Sequence, residues 1–117
     1  MKILVVGSGA REHAICWKLK KSKQLSKLYC APGNAGISQI AECVDIKVDD
    51  LDKIVEYSVN NKIDLVVVGP EVPLVLGLVD KLNEKGIKAF GPTKDGAKFE
   101  GSKSYSKDFM KKYSIPS

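Results

Sequence analysis

Long apolar runs are missing from this sequence, and none approaches the roughly 20 residues that a membrane-spanning helix needs. One Lys precedes only four apolar residues at the start, 3–6, which is too short for the core of a signal peptide. Cysteine is scarce as well: Cys16, Cys30 and Cys43 lie far apart and form no Cys-x-x-Cys pair. We therefore expect a soluble, cytoplasmic protein without a membrane partner, a zinc site or a disulfide framework, in which the cysteines are small apolar fillers or surface thiols.

Acidic and aromatic residues are also in short supply. Asp and Glu number 14 against 19 Lys and Arg, which gives a net charge of +5, and only 7% of the residues are aromatic. The Lys residues concentrate at 18–27 and 94–112, in stretches with a helical pattern and few aromatics to stack on bases. Solvated helix faces explain this charge better than a nucleic-acid partner does, and an acidic remainder outside this chain is a second explanation.

Short apolar runs alternate with helical patterns along the 117 residues, a length typical of one domain. The runs predict strands at 3–6, 28–30, 44–48, 65–68 and 88–90. The patterns predict four helices, of which the first covers 11–21 and the last runs from Ser102 to Ile115. The second begins after an Asp49 N-cap, supported by Asp52, and ends at Asn60-Asn61. The third has an apolar face of Val75, Leu78, Val79 and Leu82 and ends before Gly86. This alternation predicts an α/β fold, a mostly parallel sheet with helices on both faces.

Three turns follow predicted strands and should meet at the carboxyl edge of the sheet, where ligands bind in such folds. They comprise residues 7–12, 31–36 and 69–71. In the first turn, Gly7-x-Gly9 brings bare amides to a helix N-terminus, which favours an anion, most simply a phosphate. A dinucleotide loop would carry a third glycine where Glu12 stands, and an acidic residue after the second strand, so NAD is disfavoured.

The side chains in these turns each have a functional and a structural interpretation. Arg11 is a charged fork suited to phosphate or carboxylate, or a solvated first-turn side chain. Glu12 fits the positive end of the helix dipole, and His13 is interpreted as structural because no nucleophile can be placed beside it. Asn34 can hydrogen-bond a sugar hydroxyl or serve an ordinary loop. Glu71 can bind ribose hydroxyls or an amine, or simply begin a helix.

Five segments taken together are more informative than any one turn. In order along the chain they are VVGSGAREHAICWKL, APGNAG, DLVVVGPEVPLV, FGPT and EGSKSYSKDFMKKYSIPS. Over essentially the whole chain they resemble the amino-terminal region of the phosphoribosylamine–glycine ligase family, in the ATP-grasp superfamily. The resemblance implies that residues 1–101 form a Rossmann-like pre-ATP-grasp domain that binds the phosphoribosyl substrate. Residues 102–117 would form a helix leading to the ATP-grasp domain, which this chain lacks.

The resemblance also implies an activity and a site. The family joins glycine to 5-phosphoribosylamine in de novo purine synthesis through a glycyl phosphate intermediate, converting ATP to ADP and phosphate with Mg²⁺ or Mn²⁺. The implied substrate site comprises Gly9, Ala10, Arg11, Glu12, Asn34, Gly36 and Glu71, and Lys103 is the implied ATP contact. Glycine and metal sites would follow Ser117, so we expect no catalytic residue, no metal site and no bound cofactor in this chain, and no ligation by it alone.

Three rival interpretations remain. The nearest is the equivalent domain of another ATP-grasp ligase, such as formate-dependent glycinamide ribonucleotide transformylase or biotin carboxylase. A nicotinamide-dependent oxidoreductase is disfavoured by Glu12 and by the missing acid after Tyr29-Cys30. A nucleic-acid-binding module is disfavoured because the Lys residues follow helix faces.

Overall fold

The computed structural model describes residues 1–90, which form a parallel sheet flanked by helices. The strands are β1 (Lys2–Gly7), β2 (Lys27–Pro32), β3 (Glu42–Cys43), β4 (Leu65–Val68) and β5 (Lys88–Phe90). The helices are α1 (Ala10–Lys20), α2 (Leu51–Asn60), α3 (Glu71–Val75) and α4 (Leu78–Glu84), with a 3-10 turn at Ile37–Gln39. Within this part of the chain, no helix has both the length and the apolar character needed to cross a membrane.

The order of the strands creates a crevice beside β1. The sheet runs β3-β2-β1-β4-β5, and every neighbouring pair is parallel. The chain therefore moves from β1 to one side of the sheet, then returns to place β4 on the other side of β1. In open parallel sheets a ligand crevice forms at such a reversal, outside the carboxyl ends of the two strands. Here those are the ends of β1 and β4.

Side chains that alternate along β1 build a core on each face of the sheet. Leu4 and Val6 belong to the core that α2 and α4 cover, through residues such as Leu82. Ile3 and Val5 belong to the opposite core, which α1 covers. The continuous apolar run at 3–6 therefore reflects burial on both faces, as expected for a central parallel strand. The predicted α/β fold with helices on both faces is confirmed.

The predicted strand at 44–48 is wrong. The strand at this edge is the short β3, which pairs with β2. Val44 continues the pairing by one hydrogen bond from its N–H to the Cys30 carbonyl, 2.8 Å. The chain then turns back on itself, with the Ile46 N–H donating to the Val44 carbonyl at 2.8 Å. This tight turn ends the ladder, and the apolar residues that follow enter the core as loop residues.

The predicted N-cap of α2 is also wrong by one residue. Asp50, rather than Asp49, precedes the helix, and its carboxylate accepts a hydrogen bond from the Lys53 N–H at 3.4 Å. The Asn60-Asn61 end is confirmed, since α2 ends at Asn60.

The predicted third helix is divided into α3 and α4. Gly77 between them has φ 91°, a left-handed conformation that glycine adopts without strain, and its N–H donates to the Leu74 carbonyl at 3.1 Å. The turn reorients the chain, so Val75 is 51% exposed whereas Leu78 is fully buried. Gly86 follows the end of α4 with φ 76°, as predicted. The predicted helix from Ser102 and the domain boundary at 101 lie outside the described residues.

Leu82 and Leu76 make a matched test of this packing. Leu82→Ala removes a fully buried side chain and should lower the free energy of unfolding by about 2–5 kcal/mol, through lost burial and the cavity left behind. Leu76→Ala, at a side chain that is 48% exposed, should cost under about 1 kcal/mol. Urea unfolding of the two variants measures both values. Equal losses would contradict the assignment of α4 to the core.

Candidate functional site

The three glycine-containing turns meet at the carboxyl edge of the sheet, as the sequence predicts. They follow β1, β2 and β4, three strands that are neighbours. The Gly33 N–H donates to the Gly7 carbonyl at 3.1 Å, which joins the second turn to the first. The Gly69 N–H donates to the Val6 carbonyl at 3.1 Å, which joins the third turn to the end of β1. Residues 7–12, 31–36 and 69–71 therefore form one rim rather than separate surfaces.

The first turn presents the N-terminus of α1 to solvent. Gly7 has φ 140°, and Gly9 is the extended N-cap residue of the helix. Ser8, Gly9 and Ala10 are all exposed. The amides of a first helical turn lack intrahelical acceptors, and the helix dipole places partial positive charge on them. This is the arrangement that binds a phosphate group in many nucleotide and sugar-phosphate sites.

Glu12 lies inside the rim rather than on its surface. Its side chain is only 6% exposed, and Oε1 accepts a hydrogen bond from the Gly9 N–H at 3.0 Å. A Cβ added at Gly7 would lie 2.4 Å from Glu12 Cγ, and one added at Gly69 would lie 2.4 Å from Glu12 Oε2. The side chain thus fills the gap between the ends of β1 and β4. Glu12 belongs to the candidate site through the turn that it holds.

Arg11 crosses from α1 to the third turn. Its Nη1 donates to the Gly69 carbonyl at 3.3 Å. A guanidinium carries five N–H donors, and this contact holds one of them at the third turn. The cation therefore lies at the rim, beside the open end of the helix.

Asn34 fastens the second turn to the first. Its Nδ2 donates to the Ser8 carbonyl at 2.8 Å, and its Oδ1 accepts from the Ile37 N–H, at the start of the 3-10 turn, at 2.9 Å. Gly36 faces α1, because a Cβ there would lie 2.8 Å from His13 Cε1. His13 therefore packs between α1 and the second turn, in keeping with its structural interpretation.

Glu71 is exposed and begins α3 directly after Gly69 and Pro70. Its carboxylate is the acidic group of the third turn. Lys103, the predicted ATP contact, lies outside the described residues. Among residues 1–90, no group of three or more His, Cys, Asp or Glu side chains is placed to hold a metal ion.

Two thiols contact backbone carbonyls of the rim. Cys30 Sγ donates to the Gly7 carbonyl at 3.3 Å, and Cys43 Sγ contacts the Asn34 carbonyl at 3.6 Å. The pKa of Cys30 is raised far above its usual value, mainly by a hydrogen bond with Cys16 and secondly by burial. Burial also raises the pKa of Cys43. The raised pKa values disfavour the thiolate form that a nucleophile requires, in keeping with the interpretation of these free cysteines as apolar fillers or surface thiols.

Sequence reasoning missed the part played by Gly69 and Cys30. Gly69 accepts the Arg11 hydrogen bond and leaves room for Glu12, yet in the sequence it is only a glycine before a proline. In the sequence, Cys30 fits the pattern of an ordinary apolar residue in a buried strand. Neither contact has a signal in the spacing of residues, because both depend on which strands become neighbours.

Comparison with known proteins identifies relatives of the chain. A family model described as Phosphoribosylglycinamide synthetase, N domain, matches residues 1–100. Phosphoribosylamine–glycine ligase from Caldanaerobacter subterraneus subsp. tengcongensis is 56% identical over 116 residues, which cover 99% of this chain and 28% of that relative. A second such ligase, from Clostridium acetobutylicum, is 52% identical over 115 residues, covering 98% of this chain and 28% of the relative. The chain thus spans about 28% of the length of these curated relatives.

A solved structure agrees with the fold. The crystal structure of phosphoribosylamine–glycine ligase from Thermotoga maritima matches with a TM-score of 0.56 at 31% identity, covering 98% of this chain and 25% of that one.

Replacing Asn34 tests how the rim is held together. Asn34→Ala removes both side-chain hydrogen bonds and should lower the free energy of unfolding by about 1–2 kcal/mol. Asn34→Asp should fall between the wild type and Asn34→Ala, because a carboxylate can accept from the Ile37 N–H but cannot donate to the Ser8 carbonyl. Asn83→Ala, on the exposed side of α4, is the control and should change stability by less than about 0.5 kcal/mol. Urea unfolding gives all three values, and an Asn34→Ala loss no larger than that of the control would contradict the rim.

Proposed function

The chain belongs to the phosphoribosylglycinamide synthetase N-domain family, and we propose that it binds the phosphoribosyl substrate of a phosphoribosylamine–glycine ligase. The observation that supports this most is the convergence of three turns around the open N-terminus of α1, with Arg11 beside it. That combination provides amide donors and a cation for one phosphate, and polar groups around it for a sugar.

The phosphate would bind at the first turn. The Ala10 backbone amide supplies a donor at the positive end of the helix dipole, and Gly9, whose N–H is bonded to Glu12, lines the turn beside it. Arg11 adds a charge-assisted contact, which is shorter and stronger than a neutral hydrogen bond. Because the Gly69 carbonyl already holds the guanidinium, little side-chain entropy is lost when the ligand arrives.

The sugar and its amine would lie towards the second and third turns. Glu71 can accept hydrogen bonds from ribose hydroxyls or from the amine, and its exposed carboxylate keeps this capacity in the free protein. Asn34 and Gly36 contribute by shape, because Asn34 already bonds to Ser8 and Ile37 and Gly36 has no side chain. Glu12 contributes indirectly, because its bond to the Gly9 N–H holds the first turn in place.

The activity of the whole protein is part of the proposal. We infer that the parent enzyme joins glycine to 5-phosphoribosylamine in de novo purine synthesis in the cytoplasm, with ATP converted to ADP and phosphate through glycyl phosphate. ATP, glycine and Mg²⁺ or Mn²⁺ would bind to parts of the polypeptide outside residues 1–90, with Lys103 as an ATP contact. Residues 1–90 hold no group of three or more His, Cys, Asp or Glu side chains placed for a metal ion. Their proposed task is to bind and orient the phosphoribosyl group.

Two rival functions have weaker support. The N5-carboxyaminoimidazole ribonucleotide synthetase of Thermotoga maritima matches with a TM-score of 0.61 at 21% identity, covering 98% of this chain and 31% of that one, a likeness that extends to the fold alone. A nicotinamide dinucleotide loop would carry a glycine at position 12, where this chain has the buried Glu12. No partner nucleic acid is proposed.

Ribose 5-phosphate is a stable stand-in for the phosphoribosyl group and tests the proposal. We expect saturable binding to the 117-residue chain in titration calorimetry, with Arg11→Ala weakening it about tenfold or more through loss of a charge-assisted contact. Lys85→Ala is the control, because Lys85 follows α4 and lies at the opposite edge of the sheet. NADH and a short oligonucleotide, titrated separately, should bind more weakly than ribose 5-phosphate. Equal effects of the two substitutions, or tighter binding of NADH, would contradict the proposal.

A further inference from the structure

Gly69 is a glycine for reasons of space rather than backbone conformation. Its φ lies outside the left-handed region, unlike that of Gly7, Gly33, Gly77 and Gly86. Alanine could therefore adopt the same backbone without strain. What prevents it is the Glu12 side chain: an added Cβ would lie 2.4 Å from Oε2, 2.8 Å from Cδ and 2.9 Å from Cγ. Carbon atoms do not approach non-bonded neighbours so closely.

The Glu12 carboxylate has little freedom to move away. Its other oxygen, Oε1, accepts the Gly9 N–H bond at 3.0 Å, and Gly7 lies against its Cγ and Oε1. Only 6% of the residue is exposed. A group added at Gly69 would therefore push the carboxylate off the Gly9 amide, and so disturb the helix N-terminus where the phosphate is proposed to bind.

Arg11 and Glu12, consecutive residues of α1, both contact Gly69. Arg11 Nη1 donates to its carbonyl at 3.3 Å, while Glu12 packs against its α-carbon. The first and third turns are thereby fixed relative to each other by one pair of side chains. Glu12 also stands at the position where a dinucleotide loop carries its third glycine, which serves close packing of the helix on the strand.

We propose that Glu12 is a positioning residue, clamped by Gly7 and Gly69, that binds the Gly9 amide and thereby holds the N-terminus of α1 and Arg11 in place for a single phosphate. This inference rests on the proposed function for the identity of its ligand. It assigns Glu12 no direct contact with the sugar phosphate, and it makes Gly69 a determinant of ligand affinity although its side chain is a single hydrogen.

A double-mutant cycle between positions 12 and 69 tests the clamp without any ligand. Gly69→Ala alone should lower Tm by about 3–8 °C, because the carboxylate must leave its position. In the Glu12→Ala background the same substitution should change Tm by less than about 2 °C, since the obstructing atoms are gone. Gly86→Ala is the control. Its φ of 76° strains an alanine, but nothing lies within 4 Å of the added Cβ, so the loss of Tm should be the same in both backgrounds. Additive effects of Glu12→Ala and Gly69→Ala would overturn the clamp.

Ligand affinity separates positioning from direct contact. Glu12→Gln keeps the volume and an oxygen acceptor for the Gly9 N–H, so its Kd for ribose 5-phosphate should stay within about threefold of wild type. Glu12→Ala and Gly69→Ala should each weaken binding by about tenfold, whereas Gly86→Ala should not. If Glu12→Gln binds as weakly as Glu12→Ala, the carboxylate charge contacts the ligand and the positioning role is wrong. If wild type itself does not bind ribose 5-phosphate, the proposed function fails, and the Tm cycle still decides whether the clamp exists.

Discussion

Glu12 places its carboxylate in the gap between the carboxyl ends of β1 and β4, where Gly7 and Gly69 leave room for it. Burial of an acidic side chain is costly unless its oxygens are hydrogen-bonded, and here the Gly9 N–H supplies a donor. The same contact sets the direction of the helix N-terminus and the distance between the first and third turns. The rest of the rim depends on this arrangement, because Arg11 can reach the Gly69 carbonyl only when the two turns are at this separation.

The register of the sheet places the three turns at the same height along the strands. Gly7 is in register with Pro32 of β2, and Val6 is in register with Val68 of β4, so three strands end together. Burial of β1 on both faces fixes that register, since a slip of one residue would exchange the two core faces. Three turns that are far apart in the sequence are therefore neighbours in space. The first contributes backbone amides and a cation, the second an amide side chain, and the third a carboxylate.

Much of this architecture could be predicted from the sequence, and the failures have physical causes. The runs at 3–6 and 65–68 are long and apolar enough to indicate buried parallel strands, and the glycines after them indicate the rim. Val75 fitted a helical pattern continuous with Leu78, but the left-handed turn at Gly77 resets the register of the helix. The burial of Glu12 could not be predicted, because an acidic residue in a first helical turn normally interacts with the helix dipole from the surface. Its burial depends on Gly69, which is distant in sequence and close only because β4 pairs with β1.

The central claim is that one sugar phosphate contacts all three turns at once. Amide chemical-shift mapping of the isotope-labelled chain, titrated with ribose 5-phosphate, tests it most directly. The account predicts that the backbone amides of residues 9–12, 33–36, 69 and 71 shift together with a single Kd, while those at the opposite edge, 24–27 and 84–87, do not. Shifts confined to one turn, or located at that opposite edge, would contradict a shared site.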